Sequence, residues 1–197
     1  MSAVVNRKNE RLQDPPFAQF LFTDTRAAWL WLVVRLWLGW QWVEAGLHKV
    51  TDPGWVQTGE SARGFWERAV AIPEVGRPAI SFDWYRSLLQ MLIDNDAQRY
   101  LGPAIAYGEL LIGIGLMVGA FTGIAAFFGA LLNWNFMMAG TASTNPLLLV
   151  LAVGIIMAWK VAGYVGADYF LLRFLGTPWR GKAVPPATPA TTVAMVR

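Results

Sequence analysis

The run from residue 27 to 50 is apolar and long enough to cross a bilayer, yet it carries Arg35, Glu44, His48 and Lys49. At 1.5 Å of rise per residue, a helix over this run covers the ~30 Å of a hydrocarbon core. A charge at that depth is costly and calls for a partner, a water-filled cavity or a route to the surface. The rest of the chain must therefore fold so that part of this helix is screened from lipid.

Three further apolar runs follow, at about 100–120, 121–140 and 146–165. Only 15% of the 197 residues are charged and the mean hydropathy is +0.39, against about 25% charged residues in an ordinary soluble domain. The pattern predicts an all-α membrane protein, a four-transmembrane-helix bundle occupying residues 27–176. The first run exceeds the 7–15 residues of a signal-peptide core and follows a polar stretch, so it is read as an uncleaved span. Arg7, Lys8, Arg11 and Arg26 precede it, and Arg173, Arg180 and Lys182 follow the last run. With an even number of spans, that bias predicts both tails, 1–26 and 177–197, on the cytoplasmic side. The second tail is rich in Pro, Ala and Thr without an apolar period and is expected to be disordered.

The outer connection, 51–99, is too apolar for a plain linker. Apolar residues recur at helical spacing over 61–70 and 83–92, which predicts two short interfacial helices separated by a turn at 72–78. They either pack over the end of the bundle or form a lid or docking surface above an intramembrane site.

A helical wheel divides the first span into two faces. Arg35, Gly39, Trp42, Gly46 and Lys49 share one stripe, whereas Gln41, Glu44 and His48 lie opposite. Glycine lets another backbone approach closely, so the first stripe is expected to face the bundle. On the second span Glu109 shares a face with Gly102, Ala106, Gly113 and Ala120, and counting depth from the outer helix ends makes it the expected partner of Arg35. That pair either fixes helix register or takes part in chemistry. Asn133, on a face with Ala126, Gly129, Ala130 and Gly140, is expected to serve as an interhelical hydrogen-bonding residue or a ligand contact. Gln41, Glu44 and His48 either reach water by snorkelling or form a proton-exchanging edge.

The residue inventory excludes several chemistries. There is no cysteine and one histidine, so iron–sulfur clusters, thiolate zinc sites, dithiol relays and bis-histidine haem have no ligands in this chain. The runs also lack the clustered His and carboxylates of a protein-only zinc or di-iron site. A net charge of +3 carried mainly by the tails suits anionic lipid, and no nucleic-acid partner is expected.

Arg35-x3-Gly39-x6-Gly46-x2-Lys49, followed by Gly108-Glu109-Leu-Leu-Ile-Gly113-Ile-Gly115-Leu-Met-Val-Gly119-Ala-Phe-Thr-Gly, resembles the DoxX family of small four-helix membrane proteins. The likeness covers about 27–179. It is greatest to the DoxD-like membrane subunit of thiosulfate:quinone oxidoreductase, through Gly54-Trp55, Gly64-Phe65-Trp66 and Ala139-Gly-Thr-Ala-Ser-Thr-Asn-Pro. The resemblance implies a bacterial or archaeal plasma-membrane protein, a DoxA-like redox partner subunit, and membrane quinone as electron acceptor. Under it Glu109, Arg35, His48 and Glu44 are candidate catalytic groups, and Gln41, Lys49 and Asn133 are candidate quinone contacts. The alternative is a non-enzymatic subunit that anchors or assembles a larger redox complex.

Overall fold

The computed structural model describes residues 14–174, which are helical with short connections and contain no strand. In chain order the helices are α1 (Pro16–Thr23), α2 (Ala28–Val50), α3 (Pro53–Val56), α4 (Glu60–Val70) and α5 (Asp83–Asp94). They continue with α6 (Gln98–Val118), α7 (Thr122–Met138), α8 (Asn145–Met157), α9 (Trp159–Gly163) and α10 (Asp168–Phe174).

Glycine sets the register of α2 against α6. A Cβ on Gly46 would lie 2.5 Å from the Leu110 amide nitrogen, and one on Gly113 would lie 2.5 Å from that of Val43. Backbone meets backbone here, which only a missing side chain permits. The two helices run antiparallel, with Lys49 and Glu109 near one end of the contact and Arg35 beside Gly119 at the other. The α6–α7 turn is tight: Gly119 takes φ +72°, and its N–H donates to Gly115 O. Helix α7 then runs back toward the Lys49 end, and α8 returns beside it. Trp31, Leu38, Trp42, Ile112, Leu116 and Ile155 belong to the apolar core between these helices.

A second core lies at the Lys49 end. Helices α3 and α4 fold over the first turns of α6 and α5 packs on α4, burying Ala62, Trp66, Ile80, Tyr85, Leu89 and Ile93. Gly102 opens the space for this packing, since a Cβ there would meet Trp55 O at 2.8 Å. Asp52 fastens the entry, accepting from Gly54 N at 2.8 Å and Ser61 Oγ at 2.9 Å. The Tyr85 hydroxyl donates to Asn135 O at 3.0 Å and so ties α5 to α7. Burial raises the Tyr85 pKa above its ordinary value, keeping the donating phenol neutral.

Among the described residues, one helix, α6, is both long and apolar enough to cross a membrane, with a mean hydropathy of 1.7 over its best window. Helix α2 is longer, at 23 residues, but its charges and its Trp residues lower its hydropathy; α7 has 17 residues. The expected fourth run is interrupted at Ala158, which takes φ −94° and ψ 13° between α8 and α9. Within the tail expected over 1–26, α1 docks on the bundle, with Trp31 Nε1 donating to Leu21 O at 2.7 Å. Residues 1–13 and the predicted disordered tail 177–197 lie outside the described residues.

Candidate functional site

Two buried polar centres occupy opposite ends of α2. At one end Lys49 Nζ pairs with Glu109 Oε2 at 2.5 Å, with the Glu109 side chain fully buried. The ammonium also stands over the Trp55 ring, 5.3 Å from its centroid, and the Phe136 ring at 5.7 Å. Aromatic faces and a carboxylate thus share one largely buried cation, its side chain 19% exposed. This pair lines a cavity of about 440 Å³ together with Gln41, Trp42, Glu44 and Phe65. The volume falls within the ~300–1,000 Å³ of ordinary small-molecule sites. Thr141, Ser143 and Thr144 of the α7–α8 connection and Asn145 at the start of α8 add polar groups to the lining.

The cavity is incompletely satisfied. Glu109 and Trp42 line it, and Glu109 Oε1 and Trp42 Nε1 are buried without a hydrogen-bond partner. Asn133 is fully buried, and neither its oxygen nor its nitrogen has a partner. A buried polar group left unpaired costs about 1–3 kcal/mol, so these atoms call for an ordered water or a ligand, as do Arg35 Nε and Nη1 and Thr122 Oγ1 at the other end.

The expected Arg35–Glu109 pair does not form. Counting depth from helix ends failed because the first three turns of α6 extend past α2 to pack under α3 and α4. In the glycine register Glu109 is level with Lys49, and Arg35 lies ~21 Å of helical rise away. Arg35 Nη2 donates instead to Val165 O at 2.7 Å. Its guanidinium lies against Gly119 and Gly166, where a Cβ would meet it at 1.6 and 2.6 Å respectively. Asp168, which sequence reasoning missed, supplies the nearby negative charge. It also caps α7 from outside the helix, accepting Phe121 N at 2.6 Å and Thr122 N at 2.8 Å. The available signal was an acidic residue closing the last apolar run, three residues after Gly163-Tyr-Val.

The other expected residues divide. Gln41 and Glu44 line the Lys49–Glu109 cavity. Lys49 was placed on the Arg35 stripe, and it is there, but a carboxylate holds its charge. His48 is exposed in the last turn of α2 and does not line the cavity, so the His48/Glu44 proton-exchanging pair is not assembled at the site. Among the described residues no group of three or more His, Cys, Asp or Glu is placed to hold a metal ion.

Comparison with protein-family models, curated proteins and solved structures finds no match.

Proposed function

We propose that this chain is a four-span membrane protein that binds a quinone-type ring in the Lys49–Glu109 cavity, acting as the membrane subunit of a redox complex. The observation that carries the ligand reading is the cavity itself: an aromatic slot walled by Trp42, Trp55, Phe65 and Phe136, holding a buried ion pair with a spare carboxylate oxygen. A flat ring fits between such walls, and an ammonium beside it can donate to a carbonyl oxygen.

The membrane reading is supported by an inside-out distribution of side chains. Val33, Leu111 and Val150 are 66%, 68% and 67% exposed, while Arg35, Glu109 and Asn133 are 0–1% exposed. The exposed apolar face continues over Trp29, Ile124, Phe127 and Val153, which in water would be an extensive sticky surface. The described chain begins and ends at the Arg35 end, since α1 packs on α9. That arrangement suits termini on one side of a bilayer.

Converting a quinone to its quinol takes two electrons and two protons. Glu109 and Lys49 are placed to exchange protons with the bound ring, and Glu44, exposed at the cavity wall, is placed to connect them to water. The electrons come from a partner subunit that oxidises thiosulfate or a related sulfur donor. With no cysteine, this chain supplies no thiol relay of its own.

The full chain in lipid nanodiscs, titrated with a short-chain quinone, tests the reading. Saturable quenching of tryptophan fluorescence is expected, weakened about tenfold or more by Lys49→Met or Glu109→Gln. Quenching that is non-saturable and identical in the variants would be lipid partitioning alone and would sink the proposal. If a co-purified complex reduces quinone at the same rate with Glu109→Gln, the chain is an anchoring subunit.

A further inference from the structure

The two amphipathic helices at the Lys49 end are not alike on their outer sides. The exposed residues of α4 are Glu60, Glu67 and Arg68, all charged. Helix α5 buries Tyr85, Leu89 and Ile93 but leaves Trp84, Leu88 and Met91 exposed, at 56%, 38% and 51%. At 100° per residue these last three fall within about 60° of one another, beside the buried face. Asp83, Ser87, Gln90 and Asp94, also exposed, form a polar strip on their other side. The apolar arc of α5 is therefore wider than the part its neighbours cover.

The helix is not free to roll and hide that strip. Tyr85, next to Trp84, donates its hydroxyl to Asn135 O at 3.0 Å, and Arg86 Nη2 donates to Ile80 O at 2.6 Å. Just before α5 the backbone presses on the end of α7, where a Cβ on Gly140 would meet Ala79 O at 2.8 Å.

The strip also joins an apolar surface that is already there. On α7, Ile124, Phe127, Leu131 and Trp134 are exposed and recur at helical spacing toward the Lys49 end. Trp84 stacks on Trp134, with ring centroids 6.4 Å apart and planes 24° apart. Indoles with an apolar body and one N–H suit the boundary between hydrocarbon and headgroups. The polar strip of α5 carries two aspartates and no Lys or Arg, so any hold on lipid is apolar and needs no anionic headgroup.

We propose that α5 lies in the membrane–water boundary, with the Trp84–Leu88–Met91 strip against lipid and the Asp83–Ser87–Gln90–Asp94 strip in water, while the outer side of α4 faces water. This rests on the four-span reading and not on the quinone, and it adds a depth to the cavity. Phe136, whose ring stands 5.7 Å from Lys49 Nζ, follows Trp134 by two residues, ~3 Å of helical rise. The Lys49–Glu109 pair then sits close to boundary depth, within reach of a lipid-borne ligand and of water.

Because the chain has no cysteine, single cysteines can carry a nitroxide spin label. The full chain is labelled after Leu88→Cys, Met91→Cys, Ser87→Cys, Gln90→Cys or Glu67→Cys, with Leu131→Cys as the lipid-facing control, and placed in phosphatidylcholine nanodiscs. All six positions are exposed, where substitution is well tolerated. Collision with oxygen, which concentrates in lipid, is compared with collision with a water-soluble nickel chelate. Labels at 88, 91 and 131 should favour oxygen, those at 87, 90 and 67 should favour nickel, and raising the salt should change neither set.

Labels at 88 and 91 that meet nickel as freely as those at 87 and 90 would overturn the inference, with the 131 label still in lipid and the span reading intact. Labels at 88 and 91 shielded from both reagents would overturn it in favour of a protein covering the strip. If the 131 label itself favours nickel, the four-span reading fails and the boundary placement of α5 falls with it.

Discussion

The two ends of α2 bury charge in opposite ways. At the Arg35 end, Asp168 gives both carboxylate oxygens to backbone amides of α7, and Arg35 donates to Val165 O from a nest of two glycines. Arg35 Nε and Nη1 are left without hydrogen-bond partners, and Arg35 does not line the neighbouring apolar cavity. At the Lys49 end, the ion pair opens on a cavity and leaves the second Glu109 oxygen unused. Burial and charge are shared by both ends, so neither separates a structural centre from a binding one. Spare polar atoms are shared as well, since Arg35 Nε and Nη1 and Thr122 Oγ1 are buried without partners; what separates the ends is that both members of the Lys49–Glu109 pair line the aromatic cavity, whereas Arg35 does not line the apolar one beside it.

If the Arg35 end is structural, breaking it should cost stability without touching ligand binding. Asp168→Ala removes both hydrogen bonds at the start of α7 and the countercharge of Arg35, and the expected loss is about 3–5 kcal/mol. Reversible unfolding in mixed micelles would measure it. Asp168→Asn should recover little, because an amide turns one NH₂ toward an N–H that needs an acceptor. A loss below about 0.5 kcal/mol for Asp168→Ala would mean that this end does not hold the turn, since changes of that size are typical of ordinary surface sites.

The open end should respond differently to single and double changes. Lys49→Met leaves Glu109 buried without its cation and should cost about 3 kcal/mol. Adding Glu109→Gln removes the stranded charge, so the double variant should be more stable than Lys49→Met alone. Quinone binding should be weakened about tenfold or more in both. A double variant whose losses simply add would show that the pair is not coupled, and the contrast between the two ends would collapse.

Much of this contrast was legible in residue types, and little of it in residue pairing. The small-residue faces of the first two apolar runs named the α2–α6 contact, and the amphipathic runs at 61–70 and 83–92 coincide with α4 and α5. Arg35, Glu109 and Asn133 are buried as their positions among glycines suggested. Pairing depends on axial register, and a wheel carries no axial information. The overhang of α6 beyond α2 is set by Gly59 and Gly102 meeting across loop and helix, which are long-range contacts absent from any single run. The same limit hid Asp168, whose partners Phe121 and Thr122 are more than 40 residues earlier in the chain. His48 looks outward as its wheel face suggests, whereas Gln41 and Glu44 of that same face line the cavity with Lys49 and Glu109.

The smallest effect lies outside both centres, where α4 is latched to the start of α6. Asp96 accepts from Arg63 Nη1 at 3.0 Å and Gln98 Nε2 at 3.0 Å, and it sits at φ +51° just before α6. The Gln98 hydrogen bond, with help from Arg99 and Arg63, holds the Asp96 pKa below the usual carboxylate value. A depressed pKa means the folded state favours the ionised form, so the latch contributes above the unfolded-state pKa and fades as pH falls through the folded one. Neutral pH should therefore leave it intact. Hydrogen exchange of α4 amides should be flat between about pH 5 and 7, after correction for intrinsic rates, and should quicken only in acid. Asp96→Asn should remove the acid-dependent step while leaving exchange in α7 unchanged. Being about half exposed, this carboxylate is screened by solvent, and its loss should be felt by α4 alone. If α4 and the Lys49–Glu109 cavity instead loosen together in acid, the helices over that end move with the site, and the open centre is gated by the layer that covers it.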